Sequence, residues 1–120
     1  MRFAILLFVA AIPAVSGRWS GYLVDSRCYA AEERNVNPGD TEAHIDRDMD
    51  YEIRYCSPTT KTKTFAIVDR QWNRIDLDAG GNAKAAGVVR IIGKKRKIIV
   101  DVRGQLSTNT IAVDSITVAK

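Results

Sequence analysis

Five stretches of the chain are rich in aromatic and β-branched residues or alternate between polar and apolar residues, which predicts five β-strands. The stretches cover residues 19–25, 62–69, 74–78, 97–103 and 110–118. In the second strand the alternation places Phe65 and Ile67 on the inward face. In the fifth strand the apolar phase slips by one residue beside Asp114 and Ser115, which predicts a β-bulge at this point.

A helical repeat lies between the third and fourth predicted strands. Its apolar residues recur at intervals of three and four, which predicts an amphipathic helix over residues 82–92. These residues are Ala85, Val88, Val89 and Ile92. We expect Asn82 to be the N-cap, Gly93 to end the helix and Gly87 to permit close packing. The last three apolar residues should plug one end of a barrel.

A polar insertion of residues 26–62 separates the first two predicted strands. It contains the turn sequence NPGD at residues 37–40. Four later apolar residues at helical spacing predict a helix with a narrow apolar stripe. They are Ile45, Met49, Ile53 and Cys56. Asp50 and Arg54 are spaced for an ion pair on this helix, and residues 29–34 fit a second short helical turn.

The order of these elements predicts the fold class. Three strands, one helix and two strands is the order of a five-stranded OB barrel. We therefore expect a mainly β protein: a small OB-like barrel with one helix between strands 3 and 4 and a long, partly helical insertion between strands 1 and 2. The alternative with the same order is an open meander with a helix packed on one face.

The N-terminus has the layout of a secretory signal peptide over residues 1–16. Arg2 precedes an apolar stretch, and Ala14 and Ser16 provide small side chains for cleavage. The apolar run is too short to span a bilayer, and we expect no membrane span elsewhere. Cleavage after Ser16 or Gly17 would leave one domain, residues 17–120, that is secreted or periplasmic.

The chain has only two cysteines, Cys28 and Cys56. In an oxidising compartment an even pair with no third thiol predicts one disulfide, which here would tie together the two ends of the insertion. A free thiol nucleophile is therefore not expected.

Four segments resemble a family of small exported bacterial domains of unknown function. They are residues 19–28 (WSGYLVDSRC), 64–69 (TFAIVD), 78–86 (DAGGNAKAA) and 105–116 (QLSTNTIAVDSI). The resemblance extends over the whole chain after residue 16 and rests on hydrophobic and turn patterns. It implies an OB-type barrel and an exported protein, and it implies no activity.

Catalytic motifs are missing from the sequence. There is no Gly-x-Ser-x-Gly elbow and no phosphate-binding Gly-rich loop, and His44 is the only histidine. We expect no enzyme activity and no cofactor.

The alternative function is a weak metal site on the acidic insertion, because hard cations need several oxygen ligands at close range. Its ligands would be His44, Asp46, Asp48 and Asp50.

A binding module is the favoured function, with an unknown ligand such as an envelope polymer or a peptide. The ligand-contacting candidates combine aromatic rings with cations near one hairpin: Tyr22, Arg70, Trp72 and Arg74. The alternative is that these aromatics only pack against the barrel. We do not expect a nucleic-acid ligand, because export and packing of the aromatic residues against the barrel both argue against it. The insertion would either form one wall of the site or cover the barrel.

Overall fold

The computed structural model describes residues 14–33, 42–93 and 97–119, with side chains described throughout these ranges except at residues 42–48. Five strands and three helices lie in these ranges. The strands are β1 (Val15–Asp25), β2 (Phe65–Val68), β3 (Arg74–Leu77), β4 (Ile99–Ser107) and β5 (Thr110–Val118). The helices are α1 (Ser26–Glu33), α2 (Glu42–Tyr55) and α3 (Ala79–Ile92).

The five strands form a closed barrel in the order β1-β2-β3-β5-β4. β4 returns to pair antiparallel with β1, which makes a Greek key with β2 and β3. β5 then pairs antiparallel with β4 and parallel with β3, which closes the barrel. With α3 between β3 and β4 and helical segments between β1 and β2, this architecture confirms the predicted OB-like fold.

The barrel interior is filled by the inward residues of all five strands. Phe65 and Ile67 are buried there, as the alternation predicted. α3 contributes Ala85 and Val89, while Ile92 packs at the edge. Val88 was expected to pack into the end of the barrel, but it is only half-buried and lies outside this cluster. The side of α3 that faces the barrel instead carries the buried residues 81, 85 and 89.

A second core lies on the outside of the barrel, beneath the insertion. Val24 of β1 and the alternate residues Ala66 and Val68 of β2 are fully buried there against α1 and α2. α1 contributes Tyr29, and α2 contributes Met49 and Ile53 of the predicted apolar stripe, whereas the side chain of Ile45 lies outside the described residues. β2 is therefore buried on both faces, and the insertion covers the barrel.

The predicted disulfide between Cys28 and Cys56 is confirmed, with 5.5 Å between the two Cα atoms. It joins α1 to the end of α2, so both helices are held against the same face of the barrel. The predicted ion pair of α2 is also present, with 3.0 Å between the Arg54 guanidinium and the Asp50 carboxylate.

Several predicted boundaries were wrong by a few residues. β1 begins at Val15 rather than residue 19, because its first half pairs with β4. β2 begins at Phe65 rather than residue 62, because Thr62 is used in a turn, donating its N–H to the Thr59 carbonyl at 3.1 Å. β4 continues through Gly104 to Ser107, so the turn before β5 is confined to residues 108–109.

Of the two residues expected to cap α3, Gly93 is confirmed and Asn82 was wrong. Gly93 ends the helix with a φ of 78°, which a glycine adopts without strain. The N-cap is Asp78 rather than Asn82, because the Asp78 carboxylate accepts the Gly81 N–H at 2.8 Å. Asn82 instead accepts the Phe65 N–H at 2.9 Å and so connects α3 to β2.

The bulge predicted in β5 is confirmed. Arg103 pairs with Ser115 and Gly104 with Val113, so Asp114 is the extra residue.

Most of the predicted signal peptide, residues 1–13, lies outside the described residues. Its proposed cleavage points, after Ser16 or Gly17, lie near the start of β1.

Candidate functional site

The outer face of β2 and β3 is where OB barrels commonly bind oligonucleotides and oligosaccharides. In this protein the outward residues of β2, Ala66 and Val68, lie beneath the insertion. On β3 the outward Arg74 forms an ion pair with Glu33 of α1 at 3.3 Å. The insertion therefore occupies the face that a ligand would use in an uncovered OB barrel.

The structure brings two of the four predicted ligand residues together. Tyr22 and Arg70 line one small depression on the barrel surface, together with Ser20, Gly21, Val68 and Ile99. The Lys97 ammonium lies 5.5 Å from the centre of the Tyr22 ring, within the range of a cation–π contact. The depression holds only about 120 Å³, well below the ~300 Å³ at the lower end of typical ligand pockets.

The other two predicted residues do not line this depression. Trp72 lies in the turn after β2, with a φ of 65°, and its half-buried ring packs against the second core. Arg74 is engaged by Glu33 and by Asp76, each at 3.3 Å. Both side chains therefore help to hold the insertion on the barrel, and their role in ligand binding stays a prediction.

The alternative metal site falls largely outside the described residues, since the side chains of His44, Asp46 and Asp48 are not described. Asp50 is described, and its carboxylate bridges Arg54 and Lys97. In the part of the chain with described side chains, no three His, Cys, Asp or Glu residues are placed to hold a metal ion. Because two cations already neutralise Asp50, it is a poor fourth ligand.

The thiol chemistry considered for Cys28 and Cys56 is blocked in this structure, because the two cysteines are bonded to each other. Tyr29 is a fully buried residue with a shifted pKa. Burial raises the pKa of its phenol above the ordinary value, and the nearby Glu52 and Glu33 carboxylates raise it further. Tyr29 therefore stays neutral and acts as a packing residue of the second core.

Sequence reasoning missed an exposed aromatic pair on α2. Tyr51 and Tyr55 have 60% and 63% of their surface exposed. Their rings are stacked, with centroids 6.1 Å apart and planes 16° from parallel. The pattern contained this signal, because the two tyrosines are four residues apart on the side of the helix opposite Met49 and Ile53.

Arg54 lies between the two tyrosines in sequence and on the adjoining strip of the helix surface, with 43% of its side chain exposed. We call Tyr51, Arg54 and Tyr55 the α2 patch. The helix below it is fixed by the buried Met49 and Ile53 and by the disulfide at its C-terminal end. The patch is thus an exposed combination of aromatic rings and a cation on a rigid support.

Fold and surface together define an OB-like barrel whose usual binding face is covered by a disulfide-tied helical insertion. Comparison with protein-family models, with curated proteins and with solved structures finds no match to this chain. Among the described residues, no helix has the length and apolar character needed to cross a membrane.

Proposed function

We propose that the protein is an exported, non-catalytic binding module whose α2 patch contacts a polysaccharide of the cell envelope. The exposed, stacked pair of Tyr51 and Tyr55 carries this proposal. Exposed tyrosines that are already ordered offer a large contact area at a low entropy cost. Tyrosine and arginine are also the residue types enriched where binding energy concentrates.

The chemistry of the patch suits a sugar chain. The C–H faces of pyranose rings pack against aromatic faces, and two stacked tyrosines present adjacent surfaces for this contact. The tyrosine hydroxyls and the Arg54 guanidinium supply donors for the sugar hydroxyls. An extended polymer also fits an open helix surface better than a small molecule does, since small ligands are usually held in concave pockets.

Export is the second component of the proposal, supported by the disulfide and by the signal-peptide pattern. Within the described residues, cleavage after Ser16 or Gly17 removes the first two or three residues of β1, which are exposed and pair with β4. Arg18, which pairs with Asp101 at 3.0 Å, is retained. N-terminal sequencing of protein recovered from the periplasm or the medium should therefore begin at Gly17 or Arg18, and recovery of the uncleaved chain from the cytoplasm alone would refute export.

The binding test is co-sedimentation of the exported protein with isolated peptidoglycan. Replacing both tyrosines, Tyr51→Ala with Tyr55→Ala, should weaken binding at least tenfold, because one stacked ring contributes on the order of 1 kcal/mol or more. Ile91→Ala on α3 is the matched control, since Ile91 is 88% exposed and lies on a different helix.

Retained binding by the Ile91 variant, together with loss of binding by the tyrosine variant, would support the α2 patch. Equal binding by the tyrosine variant and the unmodified protein would refute the patch, and absence of any binding to peptidoglycan would refute this polymer as the ligand class. Unchanged thermal midpoints would establish that each variant is folded.

A further inference from the structure

A second surface depression lies where β1 ends, beside α1 and the segment that enters β2. Its lining residues are Asp25, Arg27, Cys28, Lys61, Lys63 and Thr64. Its volume is about 380 Å³, within the ~300–1,000 Å³ range of ligand sites. We call it the basic depression, because three of its six lining residues are cations.

Among the described residues, the three cations, Arg27, Lys61 and Lys63, form no ion pair with a carboxylate. All three residues are exposed. Three like charges around one depression repel one another, and a bound anion would lower this repulsion.

The single carboxylate of the depression is already used. One oxygen of Asp25 accepts the N–H groups of Arg27 and Cys28, each at 3.1 Å, and so caps α1. The other oxygen accepts the Thr62 hydroxyl at 3.1 Å. Asp25 therefore fixes the backbone on both sides of the depression and does not pair with its cations.

The walls of the depression are held in place before any ligand arrives. The Ser26 N–H donates to the Thr64 carbonyl at 3.1 Å, and the Ser26 hydroxyl donates to the Thr64 hydroxyl oxygen at 2.7 Å. The Lys61 N–H donates to the Thr59 hydroxyl oxygen at 3.1 Å. Thr64 keeps its own hydroxyl hydrogen for another acceptor, which gives the site a neutral donor beside its three cations.

We propose that the basic depression binds phosphate groups carried on an anionic polymer. The planar guanidinium of Arg27 matches two phosphate oxygens, and the two ammonium groups act as point charges. Because all three cations are exposed, one phosphate would be held weakly, and appreciable affinity requires a chain that presents several phosphates in turn. This site differs from the α2 patch in its residues and in the chemistry of its ligand.

The probe for this proposal is linear inorganic polyphosphate, which has no rings to stack on Tyr51 and Tyr55. The exported, disulfide-bonded protein should bind it with an affinity that falls as salt rises. The double change Lys61→Ala with Lys63→Ala should weaken binding at least tenfold. The slope of log affinity against log salt should also decrease by about 0.7–0.9 for each cation removed.

The matched control is Lys84→Ala with Arg90→Ala, which removes the same charge from exposed cations of α3. An equal loss of polyphosphate affinity in the two double variants would show that only the net charge of the protein matters, and this would overturn the proposed site. Absence of any polyphosphate binding would overturn it as well. Arg27→Lys should recover part of the affinity lost in Arg27→Ala, since it restores the charge without the planar fork.

Two further binding measurements distinguish a phosphate polymer from free phosphate and from a lipid headgroup as the ligand. Orthophosphate should compete only weakly, and vesicles of phosphatidylglycerol should bind less well than polyphosphate. Stronger binding to the vesicles would assign the site to a lipid headgroup and contradict the polymer. Tyr51→Ala with Tyr55→Ala should leave polyphosphate binding unchanged, so failure at one site is distinguishable from failure at the other.

Discussion

Gly81 and Gly87 of α3 have opposite surroundings. A Cβ on Gly81 would lie 2.5 Å from Val113 Cγ2 and 3.0 Å from the Leu77 Cβ. Gly81→Ala should therefore lower the free energy of unfolding by about 1–3 kcal/mol through overpacking, despite the gain in helix propensity. Chemical denaturation of the variant measures this change.

Gly87 provides the control within the same helix. A Cβ there would meet only the Arg90 guanidinium, at 3.8 Å, so the predicted close packing at Gly87 was wrong. Gly87→Ala should raise the free energy of unfolding by about 0.5–1 kcal/mol. If Gly81→Ala also stabilised the protein, the assigned contact between α3 and β5 would be incorrect.

Tyr29 should make the free energy of unfolding depend on pH in the alkaline range. Burial and the Glu52 and Glu33 carboxylates raise its pKa in the folded state, so folding favours the protonated phenol. Its stabilising contribution is complete below the unfolded pKa of about 10 and is lost as pH rises above that value. Tyr29→Phe should therefore lose less stability than the unmodified protein between about pH 9 and pH 12, measured by urea unfolding at each pH.

The Phe variant is a mild change at neutral pH, because the hydrogen bond from the Tyr29 hydroxyl to the Met49 sulfur, at 4.0 Å, is weak. Identical alkaline sensitivity in both proteins would show that Tyr29 ionises without unfolding the second core.

Individual side-chain contacts were the structural feature that the sequence predicted least well. Asp78 and Asn82 both suit an N-cap, and the choice between them depends on β2, whose Phe65 N–H takes Asn82 as its acceptor. No local pattern contains that long-range partner.

At the scale of elements, β2 is the strand that joins the two cores. Its four residues are all buried, with Phe65 and Ile67 inside the barrel and Ala66 and Val68 beneath the insertion. A continuous apolar run of this length is typical of a strand buried on both faces. The hydrophobic pattern of the strands made their inward residues predictable, whereas the helices that cover the outer face of β2 were not identified as its partners.

Val68→Asp tests this double burial. The carboxylate would replace a fully buried apolar side chain of the second core, so the free energy of unfolding should fall by about 3–5 kcal/mol. Val118→Asp is the comparison, because Val118 lies on β5 with 43% of its surface exposed and should cost under about 1 kcal/mol. Similar costs in denaturant titrations would mean that the insertion does not cover β2.

At the scale of the whole molecule, the fold follows from the order of its elements, and the position of the proposed binding surfaces does not. The strand and helix order predicted the OB-like barrel, whereas ligand binding at Tyr22, Arg70, Trp72 and Arg74 stays a prediction. The α2 patch was readable from the spacing of Tyr51 and Tyr55. The basic depression was not, because it combines Arg27 with Lys61 and Lys63 from the other end of the insertion.

The central claim is that ligand binding has moved from the covered barrel face to the outer surface of the insertion. Heteronuclear NMR of the disulfide-bonded protein titrated with soluble glycan fragments of peptidoglycan tests this claim most directly. The largest amide shifts should occur at Tyr51, Arg54 and Tyr55 and their neighbours on α2. Shifts centred instead on Arg70 and the outer residues of β3, with α2 unaffected, would contradict it.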